Sequence, residues 1–186
     1  MDDIVKAALK KWPNVPHCYG WLALDARGDW YMRDEEAQAA GPFPQVKGHR
    51  VVHDKLKDFI RRNYERDERG AWFFQNGPQR VYLELEAAPW VWGVQRLSAA
   101  PGADGFAVST HTGEPVDSVR AAWVDENGRL FLETDAGFGI VRSPDMAAAA
   151  DAVDAAGWPV HECAFDSLPQ RFGYVLRPQG PMRAGG

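Results

Sequence analysis

Two hairpins with the same turn stand one hundred residues apart, and they constrain the fold more than any other feature of the chain. In "GWLALDARGDWYMRD" an alternating apolar run enters a D-x-x-G turn, Asp25 to Gly28, and leaves as a second aromatic run. In "AAWVDENGRLFLET" the pattern returns with Asp125 and Gly128 at its turn. Such alternation puts every second side chain on one face of a strand, and a turn of Asp and Gly closes it into an antiparallel pair. The stretches after the two hairpins also correspond. "GHRVVHDKL" from Gly48 and "GFGIVRSPDM" from Gly137 each run from glycine through two aliphatic residues to a helix start. His53 or Asp54 is the first N-cap; Ser143, with Pro144 at the first helical position, is the second.

The first helix is expected to bury Leu56, Phe59, Ile60 and Tyr64, and the second Met146, Ala149, Ala150 and Val153, with Gly70 and Gly157 placed to end them. An aromatic strand comes after each, "AWFF" or "WPVHECAF", then F-x-x-x-P-Q-R, then a closing strand, "VYLELE" or "FGYVLRP". The fold expected is α+β: two similar units, each a mostly antiparallel sheet with one helix in the order βββαββ, plus an N-terminal helix. That helix runs from Asp3 to Trp12, carries Ile4, Val5, Ala8, Leu9 and Trp12 on one stripe, and stops at Pro13. A further D-x-x-G, Asp67 to Gly70, has no counterpart in the repeat and reads as a turn of common type.

The units divide the chain into a lead-in at 1–19, a first unit at 20–88, connecting strands at 89–118, a second unit at 119–178 and a Pro/Gly-rich tail at 179–186 expected to fray. The connecting stretch holds two strands, Trp90 to Leu97 and Gly105 to Thr110, around a small-residue loop that serves as linker. Those strands extending one continuous sheet is the alternative.

A chain of 186 residues buries roughly 70% of its unfolded surface, and 45% apolar content with eight Trp and nine Phe is that of a globular protein. Two cysteines are too few for a disulfide framework. With Asp2 and Asp3 where a secretory signal carries basic residues, and no apolar run near the ~18 residues of a membrane span, a cytoplasmic location is expected. Net charge is −5, and residues 101–170 hold twelve Asp and Glu against three Arg. That acidic half opposes nucleic-acid binding; the contrary reading rests on a basic helix near 54–69 with Lys55, Lys57, Arg61 and Arg62.

Three groups of residues carry candidate chemistry. In the P-Q-R corners Pro78 and Pro169 suit strand entry, and Asn76-Gly77 supplies a tight reversal. Gln79, Arg80, Gln170 and Arg171 then project donors toward an anion, with Asn76 beside them and a groove between the repeated units as the ligand's place. In "PWVW", Trp90 and Trp92 share a strand face that, if uncovered, is an interaction patch. His17, Cys18, His161 and Cys163 supply two imidazoles and two thiols, enough for tetrahedral zinc or for a Cys/His enzyme, although neither pair has finger spacing. The chain has no G-x-S-x-G elbow, H-E-x-x-H or G-x-x-x-x-G-K-[ST] loop.

The stretches "WPNVPHCYGWLALDARGDWYMRD" and "RNYERDERGAWFFQNGPQRVYLELEAAPWVW" resemble an uncharacterised bacterial family known only as a domain of unknown function, and FFQNGPQR is the most distinctive part of the likeness. The resemblance implies a soluble bacterial protein and brings no activity or site residue. The residues themselves read best as a non-catalytic binding or interaction module with no cofactor and with a small anionic ligand or a protein as partner.

Overall fold

The two D-x-x-G turns of the hairpins are built alike in the computed structural model, which describes residues 1–98 and 104–180. The Asp25 carboxylate accepts the Asp29 N–H at 3.0 Å, and the Asp125 carboxylate accepts the Arg129 N–H at 2.8 Å. Both Asp side chains are buried, and a positive φ at Gly28 (88°) and Gly128 (72°) turns the chain. The flanking strands pair in the same register: β1 (Cys18–Leu24) sets Leu24 against Trp30 of β2 (Trp30–Met32), and β9 (Val119–Asp125) sets Val124 against Leu130 of β10 (Leu130–Thr134).

Each hairpin seeds a six-stranded mixed sheet. The first is ordered β3-β2-β1-β6-β5-β4, adding β3 (His49–Arg50), β4 (Tyr64–Arg66), β5 (Trp72–Asn76) and β6 (Gln79–Leu85). The second is ordered β12-β9-β10-β11-β7-β8, adding β7 (Trp90–Ser98), β8 (Asp104–Thr110), β11 (Gly137–Val141) and β12 (Val160–Cys163). A common block runs through both: a three-stranded meander, a helix, and a later strand laid parallel to the meander's first strand. In the first sheet that strand is β6 beside β1; in the second it is β12 beside β9. The units are thus similar, and they differ in what is added. The first inserts β4 and β5 before β6, whereas the second adds the β7–β8 hairpin beyond β11. The strands expected at 89–118 therefore belong to the second sheet. The small-residue loop at 99–103 and the tail beyond residue 180 lie outside the described residues.

The chain divides into two compact units, the first of residues 1–25, 29–86 and the described residues 173–180, the second of residues 26–28 and 87–172. The N-terminal helix α1 (Asp3–Lys11) and α2 (Glu35–Ala40) belong to the first unit. Helix α2 was not expected, though its signal is in the sequence: Asp34 caps it by accepting the Ala37 N–H at 2.9 Å, and Glu35 and Glu36 fill its first turn. Helix α3 (Asp54–Arg62) starts where expected and ends early. Asn63, fully buried, takes over the capping: its Nδ2 donates to the Phe59 carbonyl at 2.9 Å while its Oδ1 accepts the Asp2 N–H at 2.8 Å. Tyr64 is consequently a strand residue, and Gly70 ends a turn rather than a helix.

In the second unit a 3-10 turn (Ser143–Asp145) leads into α4 (Met146–Ala156), which Gly157 ends in the left-handed conformation at φ 64°. Ala149 and Ala152 are the helix residues fully buried, and they pack against Trp92, Val94, Val108, Leu130 and Leu132; Ala150 faces solvent. Small side chains here let the helix lie close on the sheet. Asp145, the last residue before α4, accepts the Val94 N–H at 3.0 Å and the Arg142 Nε–H at 2.6 Å.

Residues Phe165–Phe172 depart furthest from expectation. They form a 3-10 turn (Phe165–Ser167) and helix α5 (Leu168–Phe172), with no strand after them among the described residues. Pro169 stands in the first turn of that helix, where a missing N–H costs nothing. The two P-Q-R segments are therefore not counterparts: one enters strand β6 and the other is helical. Among the described residues no helix is long and apolar enough to cross a membrane.

Candidate functional site

The third D-x-x-G turn, Asp67 to Gly70 between β4 and β5, builds a polar cleft in the first unit. Asp67 accepts the N–H groups of Arg69 and Ala71, each at 2.9 Å, and the Tyr82 hydroxyl at 3.1 Å. Burial opposes ionisation of Asp67, but the Ala71 N–H, the Tyr82 hydroxyl and the Arg69 N–H outweigh it and hold its pKa below the usual carboxylate value. The carboxylate is thereby committed to shaping the turn. Around it a cleft of about 490 Å³ is lined by His17, Arg66, Asp67, Glu68, Arg69, Arg80 and Tyr82.

Strand β6 supplies the cleft's firmest wall. Its alternation puts Arg80 and Tyr82 on one face, opposite Gln75 and Phe73 of β5. Phe73, Tyr82 and Ala71 form a buried cluster with Tyr19 and Val175 packed on it, and Tyr19 stacks on Tyr82 at 4.7 Å with rings nearly parallel. The Arg80 guanidinium lies 4.5 Å over the Phe73 ring. Among the described residues neither Arg80 nor Arg66 has a carboxylate within ion-pair distance, whereas Arg69 stands 3.5 Å from Asp67. His17 meets Tyr82 edge-on at 5.8 Å. Burial, then the positive charges of Arg80 and Arg69, push the His17 pKa below its ordinary value. Its segment is held by Gln79, whose Nε2 donates to the Pro16 carbonyl at 2.8 Å.

Of the residues singled out from sequence, Arg80 lines this cleft, Gln79 anchors its edge, and Asn76 is exposed at the end of β5. Gln170 and Arg171 belong to α5 of the second unit, where the Arg171 guanidinium lies 4.1 Å over Trp123. The turn at Asp67 carried no functional weight as sequence; the basic residues within and beside it, Arg69 and Arg66, are the signal that marks it. Trp92 does not offer an interaction surface: it is fully buried, and its Nε1 donates to the Leu132 carbonyl at 3.1 Å. Trp90 is half-buried beside it.

Of the proposed zinc quartet, His17 and Cys18 belong to the first unit and His161 and Cys163 to the second. Among the described residues no three His, Cys, Asp or Glu side chains form a group able to hold a metal ion. His161 lies against Trp123 at 4.5 Å, and the Cys163 Sγ faces the Val124 carbonyl at 3.6 Å. Cys163 does line a second cleft, of about 600 Å³, with Val124, Asp125, Glu126, Glu162 and Ala164. Burial and then the Asp125 and Glu126 carboxylates raise its pKa, the opposite of what an activated thiol needs. Iodoacetamide at about pH 7.5 is expected to modify Cys163 more slowly than the same cysteine in the urea-unfolded chain; fast modification of the folded protein well below about pH 8 would reverse this conclusion. In the basic helix Lys57 and Arg61 pair with Asp54 and Asp58 of the same helix, and Arg62 pairs with Asp2 ahead of α1.

Over residues 1–179 the chain matches a family described as Protein of unknown function (DUF2946). No curated protein matches it. Among solved structures, the chain is similar to a DUF1285 family protein from Shewanella baltica OS155, with 15% identity over 71% of this chain and 91% of that one at a TM-score of 0.45. It is also similar to a DUF1285 family protein from Silicibacter pomeroyi DSS-3, with 14% identity over 81% of this chain and 84% of that one at a TM-score of 0.49. With nearly its whole length matched, this chain belongs to that family, whose description assigns it no function.

Proposed function

We propose that the first unit is a binding module for a small anion, held in the cleft beside the Asp67 to Gly70 turn. The observation that carries this reading is Arg80: a guanidinium fixed over Phe73, with no carboxylate partner among the described residues, at the wall of a cleft that also holds Arg66 and Arg69. Structural arginines are ordinarily consumed by a neighbouring carboxylate, as Arg33 is by Glu84 and Arg129 by Asp125. A planar guanidinium stacked on a ring keeps its donor fork oriented for a carboxylate or phosphate oxygen pair. Asp67 shapes its own turn and pairs with Arg69 at 3.5 Å, so Arg80 and Arg66 are the guanidiniums left for a ligand, with Glu68 the lining carboxylate that competes for them.

Isothermal titration with inorganic phosphate at low ionic strength tests the reading. The unaltered protein is expected to bind, and Arg80→Ala to weaken binding by about 1.5–3 kcal/mol, the worth of hydrogen bonds to a charged group. Arg171→Ala, on the second unit, leaves the affinity unchanged. Equal binding by Arg80→Ala and the unaltered chain would remove the site.

A further inference from the structure

We infer that this cleft takes a dianionic oxyanion, of the phosphate and sulfate class, and that His17 takes up a proton when the anion is seated. The inference rests on the anion-binding proposal and adds the charge of the ligand and its linkage to pH. The titratable and charged groups that face the cleft are His17 from the lead-in to β1, Arg66 from β4, Asp67, Glu68 and Arg69 from the turn, and Arg80 and Tyr82 from β6, with Tyr19 stacked behind Tyr82. Three guanidiniums against two carboxylates leave one positive charge in excess while His17 is neutral. A monoanion cancels that excess and relieves part of the repulsion on the imidazole without making its surroundings negative. A dianion leaves one negative charge over, and the group positioned to balance it by gaining a proton is His17.

Without an anion, the cleft opposes that proton. Arg80 and Arg69 bear on His17 with like charge, so the neutral ring is favoured. Seating a dianion among these residues reverses the sign of the local potential. Proton and anion then strengthen each other's binding by the same factor, as linkage requires. The Gln79 contact to the Pro16 carbonyl holds the segment that presents the imidazole.

Sulfate is the decisive probe, because it stays dianionic across the range in which His17 titrates, so any pH dependence belongs to the protein. At constant ionic strength its affinity is expected to rise about tenfold from about pH 8 to about pH 5.5. Calorimetry in buffers of different ionisation heat should show uptake peaking at about half a proton per sulfate, the uptake that a tenfold affinity change through one group requires. His17→Asn is expected to lose the pH dependence of sulfate binding. Acetate, a monoanion, should show less proton uptake than sulfate under the same conditions. Sulfate binding that is independent of pH, or a pH dependence that survives in His17→Asn, overturns the proton linkage and leaves the anion site standing. Failure of both phosphate and sulfate to bind at any pH removes the anion site itself, so the two ideas fail separately.

Discussion

Arg33→Ala is expected to destabilise the first unit by about 3–5 kcal/mol, measured by urea denaturation. Arg33 is 2% exposed and comes directly after the first hairpin. Its Nη1 donates to the Glu84 carboxylate at 2.5 Å, its Nε to the Val46 carbonyl at 3.2 Å and its Nη2 to the Gly41 carbonyl at 2.6 Å. One side chain thus ties β6 to the loop that joins α2 to β3. Alanine leaves the Glu84 carboxylate and two carbonyls without their donor where water reaches them poorly, and that loss dominates the cost. Arg33→Lys keeps the charge but not the fork, so it should recover only part of the stability. The double change Arg33→Met with Glu84→Leu should recover more than either single change, because it removes both charges together. A loss under about 1 kcal/mol for Arg33→Ala would mean the pair is not buried as described.

How much of the fold was legible in the sequence depended on the range of the forces involved. The D-x-x-G hairpins, the start of α3 and the Gly157 cap were legible because each is decided within about five residues, by a short polar side chain or a glycine satisfying adjacent backbone. The segments Asn76 to Arg80 and Phe165 to Arg171 share P-Q-R, yet local context splits them. Gly77 at φ 58° reverses the chain before Pro78, whereas Ser167 and Leu168 before Pro169 begin a helical turn. The early end of α3 was hidden for another reason. It depends on Asn63 meeting Asp2, sixty-one residues away, and no local propensity encodes such a contact. Arg80 was legible as a candidate because its motif was conspicuous. Its cleft was not, since Arg66 and Arg69 reach it across a strand pairing that only the folded sheet creates.

Trp92→Ala should cost the second unit about 3–5 kcal/mol, read by chemical denaturation monitored by circular dichroism. The indole is fully buried among Val94, Val108, Leu130, Leu132, Ala149 and Ala152, so truncation leaves a cavity that a small-residue helix face cannot fill. Its fit depends on Gly139 of β11: a Cβ there would come within 2.7 Å of the Trp92 Cε2 and 2.5 Å of the Trp90 carbonyl oxygen. Glycine at 139 and tryptophan at 92 are therefore one packing unit across the parallel β7–β11 pair. Trp92→Phe retains much of the volume but leaves the Leu132 carbonyl without its Nε1 donor, and a loss of about 1–3 kcal/mol is expected. Because the hydrogen bond and the cavity are separate costs, the ordering Ala worse than Phe distinguishes a buried anchor from a surface contact. If Trp92→Ala instead left the denaturation midpoint unchanged, the indole would have to be exposed in solution, and the second sheet's core would need to be redrawn around β10 and α4.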